Sequence, residues 1–167
     1  MQISVESIKE LRNLTGAGIM DSKNALQESN GDIAKAEELL REKGMASAMK
    51  KSSRATNQGL VESYIHSGGR IGAIVEANCE TDFVARTDDF KALAHDIAMQ
   101  VAAMDPKYMD AADIPEGEDE NPEQTCLLQQ AFIKDPSKTV QELVNETVAK
   151  IGENINVRRF TRFELGE

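Results

Sequence analysis

The first 30 residues show apolar positions at helical spacing, interrupted by a turn that is rich in glycine. Val5, Ile8 and Leu11 lie on one helical stripe, and Ser4 precedes them as a predicted N-cap. The segment Thr15-Gly16-Ala17-Gly18 ends this pattern, because two glycines within three residues favour a turn. A second helix is predicted from about residue 19 to residue 28.

A third helix is predicted after a turn at Asn30-Gly31. Asp32 is its predicted N-cap and Gly44 its predicted end. Three short helices of this kind form a small bundle of the ubiquitin-associated type. The residues that follow, 45–57, are rich in Ala, Ser and Lys, which predicts either a helical extension or a linker with a solvated, charged face.

Residues 59–79 change to the two-residue period of β-strands. Val61, Ser63 and Ile65 alternate with a second set of side chains that points to the opposite face. The segment Ser67-Gly68-Gly69-Arg70 supplies residues that tolerate positive φ in a tight turn. Because Ile71–Asn78 continues as a partner strand, this region is predicted to be an antiparallel hairpin.

The helix after this hairpin has a regular amphipathic pattern. Thr87 is its predicted N-cap, and Asp88 and Asp89 lie where the helix dipole favours negative charge. One apolar stripe predicts its core-facing side: Phe90, Leu93, Ile97, Val101 and Met104.

Residues 105–134 are less regular. The run Glu116-Gly117-Glu118-Asp119-Glu120 predicts an exposed acidic loop, because its spacing lacks the alternating ligands of a calcium loop. A cation site in residues 116–120 remains an alternative. Residues 123–134 are predicted to form a helix.

The last 30 residues predict a capped helix and a closing strand. Thr139 and Glu142 have the spacing of a capping box, and Gly152 is the predicted helix end. The strand is predicted from about residue 155 to residue 163, but Phe160 does not share the parity of Ile155. Either a bulge intervenes or both faces of the strand are covered.

Together these elements predict an α+β chain, in which an N-terminal three-helix bundle is followed by a small antiparallel three-stranded sheet packed with helices. The predicted boundaries are residues 1–45 for the bundle, 46–58 for the linker or helical extension, and 59–167 for the α+β core.

The run Thr81-Asp82-Phe83-Val84-Ala85-Arg86 lies between the predicted hairpin and the next helix. A large apolar ring flanked by an acid and a hydroxyl, at a junction between a strand and a helix, should face solvent. Local pattern alone favours a plain helix cap, with Asp82 as the cap and Phe83 folded back onto the sheet. The alternative is a functional wedge.

Composition limits the class of partner. The formal net charge is −10, and strong nucleic-acid binding needs clustered Lys and Arg, so a protein partner is expected instead.

The N-terminus has no basic and apolar leader pattern, and no window is long enough to span a membrane. Cys79 and Cys126 are isolated thiols, which fits a reducing cytoplasm and supports neither a zinc site nor a disulfide framework.

The chain lacks the usual motifs of catalysis. His66 and His95 are its two histidines, and no nucleophile elbow, zinc-protease motif or phosphate-binding loop occurs. We therefore expect no enzyme, no catalytic residues, no cofactor and no metal.

Three blocks of the chain, one of which is the run Thr81–Arg86, resemble the translation elongation factor Ts family. The first block comprises Ile8–Arg12, Thr15–Asp21, Ala25-Leu26 and Asn30–Asp32, and the last is Lys150–Phe160. The resemblance implies a guanine-nucleotide exchange factor in translation elongation, which binds the GDP form of the GTPase elongation factor Tu. It implies GDP release through disturbance of the magnesium and phosphate site, followed by a complex that lasts until GTP binds.

The resemblance also implies which residues contact the GTPase. Residues matching the family motif at the nucleotide site are Thr81, Asp82, Phe83 and Val84, with the aromatic ring as the wedge that dislocates magnesium. Residues facing the nucleotide domain from the bundle are Arg12, Ile19 and Met20.

Longer family members carry a second half that resembles the core, and this chain resembles the short form with a single core half. The resemblance therefore implies a homodimer in which each copy supplies the other's missing half through sheet or helix packing. Two rivals remain open: a ubiquitin-associated-like protein-binding module without exchange activity, and an acidic enzyme or metal-binding protein that uses residues 116–120.

Overall fold

The computed structural model of the chain describes residues 3–167, which fall into two compact units. The first unit holds the residues up to Ser53 together with Asn145–Glu153. The second holds Arg54–Val144 and Asn154–Glu167. The architecture is mixed helix and sheet, which confirms the predicted α+β class.

Three helices open the first unit: α1 (Val5–Thr15), α2 (Ile19–Glu28) and α3 (Ile33–Lys51). The predicted caps are confirmed, since the Ser4 and Asp32 side chains accept hydrogen bonds from the backbone N–H groups of Ser7 and Lys35. Their buried core consists of Leu11, Ala25, Leu26 and Ala36.

Gly44 does not end α3, so that prediction is wrong. The helix continues to Lys51, which makes most of residues 45–57 a helical extension. Gly44 is buried, and a β-carbon placed there would lie 3.8 Å from the backbone oxygen of Asn145 and 3.9 Å from the β-carbon of Ala149. The glycine therefore serves close packing between α3 and a later helix rather than a turn.

The second unit is built on a three-stranded antiparallel sheet of order β1 (Gln58–Ile65), β2 (Ile71–Cys79) and β5 (Ile155–Glu164). The predicted hairpin is confirmed, with Gly68 and Gly69 at φ of 93° and 69° in its turn. A bulge shifts the β2–β5 register between Glu76 and Ala77.

This bulge resolves the irregular pattern of the last strand. Val157 pairs with Ala77 and Phe160 pairs with Val75, so Arg158 is the extra residue. Because Ala77 and Val75 share one face of β2, Val157 and Phe160 also share a face.

Helix α5 (Asp88–Met104) covers that inner face. Its cap is confirmed, because the Thr87 hydroxyl accepts a hydrogen bond from the Phe90 N–H at 3.3 Å. The sheet contributes small and β-branched residues to this core, and α5 contributes larger ones. The buried apolar residues of the two layers are Ala73, Val75, Ala77, Cys79, Ile155 and Val157 from the sheet, and Phe90, Leu93, Ala94, Ile97, Ala98, Val101 and Ala102 from α5.

The predicted helix over residues 123–134 is wrong. The chain forms a single turn, α6 (Pro122–Thr125), and then a short hairpin of β3 (Ala131–Phe132) and β4 (Asp135–Thr139). The reason lies in buried polar side chains. The Gln100 amide nitrogen donates to Gln130 Oε1 at 3.2 Å and to the Ala131 carbonyl at 3.1 Å, which fixes this segment in an irregular path.

The capping box ahead of α7 (Val140–Ile151) is confirmed. The Thr139 N–H donates to Glu142 Oε2 at 2.8 Å, and the Glu142 N–H donates to Thr139 Oγ1 at 3.2 Å. Gly152, at φ 83°, follows the helix and donates its N–H to the Val148 carbonyl. Within residues 3–167, no helix combines the length and the apolar character that a membrane span requires.

Candidate functional site

A one-turn helix, α4 (Asp82–Ala85), lies between the end of β2 and the start of α5. Its N-cap is Thr81, whose hydroxyl accepts a hydrogen bond from the Val84 N–H at 3.4 Å. The predicted cap, Asp82, instead occupies the first helical position, so that prediction is wrong by one residue. At its other end the Thr87 hydroxyl donates to the Val84 carbonyl at 2.7 Å.

Phe83 projects from α4 into solvent with 77% of its surface exposed. The expectation that it folds back onto the sheet is therefore wrong, and the expectation that it faces solvent is confirmed. Ala85 is the buried residue of this turn, which anchors the helix and directs Phe83 outward.

Asp82 is held by an ion pair within the same turn. Arg86 Nη2 donates to Asp82 Oδ2 at 2.9 Å, and both side chains remain accessible to solvent. The pair therefore joins Asp82, the first residue of α4, to Arg86, the residue that follows its end. Arg86 was not among the residues predicted for the site. An acid and a base four residues apart on a helix are nevertheless spaced for an ion pair.

The second set of predicted contact residues lies on the first unit. Ile19 and Met20, at the start of α2, are 58% and 63% exposed, so both point away from the bundle core. Arg12, near the end of α1, is exposed, and its carbonyl accepts a hydrogen bond from the Gly16 N–H at 2.8 Å. Gly16 adopts a φ of 68°, which ends α1 and positions the loop before α2.

The sheet face opposite α5 is apolar and open. We call it the outer sheet face and define it by its exposed apolar side chains, which are Val61, Ile65, Ile74 and Phe163. Ile65 and Phe163 both pair with Gly72, and Val61 pairs with Glu76. Because Gly72, Ile74 and Glu76 alternate along β2, all four apolar side chains lie on the same face of the sheet.

A charged cluster borders this face at the bulge. Glu76 Oε2 accepts a hydrogen bond from Arg159 Nε at 2.7 Å, and Glu76 Oε1 lies 3.4 Å from Arg158 Nη1. The hydrogen bond from Arg159 is the main cause that lowers the pKa of Glu76 below its ordinary value of 4.5.

The acidic segment 116–120 is exposed for most of its length but tied at two points. Lys107 Nζ donates to Glu120 Oε1 at 2.7 Å, and the Tyr108 hydroxyl donates to Glu118 Oε2 at 2.7 Å. The second bond is the main reason that the pKa of Tyr108 rises to about 12. Among the residues that the structure describes, no three His, Cys, Asp or Glu side chains are grouped so that they could hold a metal ion.

Comparison with known proteins assigns the family. The family model described as Elongation factor TS matches residues 2–122 and 119–167. The chain belongs to the elongation factor TS family. It is 51% identical to an elongation factor Ts of Thermoanaerobacter sp. (strain X514), an alignment that covers 99% of this chain and 96% of that protein.

Two further relatives align over nearly their whole length. The chain is 50% identical to the elongation factor Ts of Caldanaerobacter subterraneus subsp. tengcongensis, covering 99% of this chain and 98% of that protein. It is 49% identical to the elongation factor Ts of Thermotoga neapolitana, in an alignment that covers 100% of this chain and 99% of that protein. The predicted resemblance is thus confirmed, and family membership makes this chain a translation elongation factor.

The alignments with these relatives contain more positions than this chain has residues. They span 195 positions, whereas the chain has 167 residues. The two parts of the family match meet at residues 119–122, at the end of the acidic segment.

Proposed function

We propose that this chain is the guanine-nucleotide exchange factor of the GTPase elongation factor Tu. It binds the GDP form, promotes GDP release by disturbing the magnesium and phosphate site, and stays bound until GTP binds. The observation that carries this proposal is Phe83, which is exposed at the tip of a capped single turn.

An aromatic side chain in this position calls for a partner. A fully exposed phenyl ring forgoes about 1.5–3 kcal/mol of burial free energy. Here the ring is presented by a helix that is capped at Thr81 and anchored by Ala85. Such a rigid apolar projection loses little conformational entropy when it inserts into a groove between helices of another protein.

The mechanism needs no covalent chemistry. GDP is held by phosphate contacts and by a magnesium ion whose octahedral coordination tolerates little distortion. A wedge that displaces these elements weakens GDP binding. By reciprocity, bound GDP weakens the affinity for the exchange factor by the same factor.

Phe83 cannot supply the whole effect. A thousandfold acceleration requires a barrier lower by about 4 kcal/mol, which exceeds the burial of one phenyl ring. We assign the remainder to Thr81, Asp82 and Val84 around the ring, and to a second contact surface.

The second surface is the bundle formed by α1, α2 and α3, which binds the nucleotide domain through Arg12, Ile19 and Met20. Support comes from the exposure of two adjacent apolar residues, Ile19 and Met20, at the start of α2. The segment after α3 leads to the α+β core, and residues 59–167 carry exchange and dimerisation.

A homodimer would cover the outer sheet face. Val61, Ile65 and Phe163 are each about two-thirds exposed, and contiguous apolar surface of this kind is typical of an interface. Two copies that pack these faces together form a sheet sandwich, the arrangement in which each supplies the other's missing layer.

The protein acts in the cytoplasm on a protein partner, without catalytic residues, cofactor, bound metal, nucleic acid or membrane. Its net charge of −10 supports a protein rather than an RNA surface as its partner.

The decisive test is stopped-flow release of a fluorescent GDP analogue from elongation factor Tu, with and without this chain. We expect release to accelerate with concentration of the chain and to saturate. Absence of acceleration by the folded chain, well above micromolar concentration, would reject exchange. If the GTPase were still bound, the chain would be a ubiquitin-associated-like binding module instead.

A further inference from the structure

We infer that Arg86 is a positioning residue for nucleotide exchange, and this inference rests on the proposed function. Through its ion pair with Asp82, Arg86 holds α4 in the conformation that presents Asp82 and Phe83 to the GTPase. The side chain acts through Asp82 and does not itself touch the partner.

The first step concerns the stability of α4. A single helical turn is unfavourable in isolation, because nucleation fixes several residues for one hydrogen bond. In α4 the buried anchor is Ala85, a side chain of one carbon. The turn therefore depends on side-chain links that join its two ends.

The second step concerns the geometry of those links. The Thr81 and Thr87 hydroxyls bond to the Val84 N–H and the Val84 carbonyl, respectively. Arg86 supplies the link that reaches Asp82, with a 2.9 Å hydrogen bond across the whole turn. An acid that precedes a base by four residues is the favourable orientation for such a pair.

The third step concerns the carboxylate. The bond from Arg86 holds the Asp82 side chain in one rotamer. Because Phe83 is the next residue of the same turn, an intact turn also fixes the direction of the ring. Among residues 3–167, the Arg86 guanidinium bonds to Asp82 alone. Asp82 is therefore the residue on which Arg86 acts.

The fourth step concerns magnitude. In the free protein, an exposed pair at this spacing changes an equilibrium by about twofold. At an interface from which water is displaced, the coupling of a charge pair increases. We therefore expect Arg86→Gln to reduce the efficiency of GDP release by about threefold to tenfold.

The experiment is a double-mutant cycle that uses the stopped-flow GDP-release assay. The variants are Arg86→Gln, Asp82→Asn and the double variant, with Arg86→Lys as a rescue and Lys91→Gln as a charge-matched control on the exposed side of α5. Maximal rate and half-saturating concentration are determined separately, and thermal unfolding is followed for each variant.

We expect Arg86→Gln to slow release in the parent chain and to have little further effect when Asp82 is already Asn. Arg86→Lys should restore most of the activity, because lysine can still pair with an acid four residues earlier. Lys91→Gln should leave release unchanged, and unfolding temperatures should agree among the variants.

Two results would overturn the inference. An equal loss from Arg86→Gln in both backgrounds would mean that Arg86 contacts the GTPase directly. No loss in the parent chain would mean that α4 needs no help from this pair. Failure of the parent chain to accelerate release is a different result, and it would reject the proposed function itself.

Discussion

Replacing Phe83 with Ala should abolish most nucleotide exchange while leaving the fold intact. The change removes the ring but keeps the β-carbon and the backbone of α4. Alanine is also a better helix former than phenylalanine, so the capped turn between Thr81 and Arg86 should persist.

The loss of exchange should be much larger than the loss of stability, because the ring is exposed in the free protein. With 77% of its surface in solvent, its truncation should cost about 0.5 kcal/mol of stability. Full burial of the ring in the GTPase contributes about 1.5–3 kcal/mol, so release should slow by about 10-fold to 150-fold. Truncation of the fully buried Phe90 should instead cost about 3–5 kcal/mol of stability.

The assay pairs GDP-release kinetics with urea unfolding on the same preparations. Met49→Ala is a matched control, because Met49 on α3 is 76% exposed and has no assigned role. It should leave both release and unfolding unchanged, which separates loss of the wedge from a general loss of exposed apolar surface.

Either of two results would refute the reasoning. If Phe83→Ala releases GDP at the parent rate, the ring is not the wedge. If it lowers the free energy of unfolding by several kcal/mol, the ring is part of the folded core and its exposure has been misjudged.

Three further outcomes follow from other parts of the molecule. Gly59→Ala should lower the free energy of unfolding by about 1–3 kcal/mol, because Gly59 has φ +152° and a β-carbon there would lie 2.1 Å from the Ala77 carbonyl oxygen; urea titration would measure this, and a parent-like midpoint would argue against it. Val61→Asp on the outer sheet face should give a folded monomer in analytical ultracentrifugation, whereas a persistent dimer would place the interface elsewhere. Because the pKa of Glu76 is lowered in the fold, its pairing with Arg159 stabilises above pH 4.5 and is lost as the pH falls through the folded-state pKa. Arg159→Gln should therefore destabilise the protein at pH 6 more than at pH 3, and an equal effect at both would contradict this pairing.

Elements set by local chemistry were predictable from the sequence. The hairpin turn at Gly68-Gly69, the caps at Ser4, Asp32 and Thr87, and the box formed by Thr139 and Glu142 depend on residues within a few positions of one another. Their physical signals are therefore complete within a short window of sequence.

Elements set by distant contacts were not predictable. Gly44 reads as a helix end, yet its lack of a side chain serves packing against Asn145 and Ala149, about a hundred residues later. The segment after α6 reads as a helix, yet Gln130 and Gln100 bond to each other in the core and hold it in another path. Nothing within either local window indicates these partners.

The candidate site was found by resemblance and by an anomaly in the pattern. Local statistics favoured burial of Phe83, since an exposed ring of this size is unusual. The structure shows the ring in solvent, and this conflict between local preference and observed exposure supports the role that we propose for Phe83. Arg86 was missed because its partner, Asp82, had been assigned to the cap.

The two hydrogen bonds that hold the acidic segment 116–120 make its end a convenient place to insert a tag. Glu118 and Glu120 bond to Tyr108 and Lys107, and the two parts of the family match meet at the end of this segment. An affinity tag or dye-bearing peptide inserted between Glu120 and Asn121 would lie outside the loop that both hydrogen bonds close. It would also alter none of the residues assigned to the GTPase or to the dimer, so the protein could be immobilised or labelled for single-molecule work in its active form.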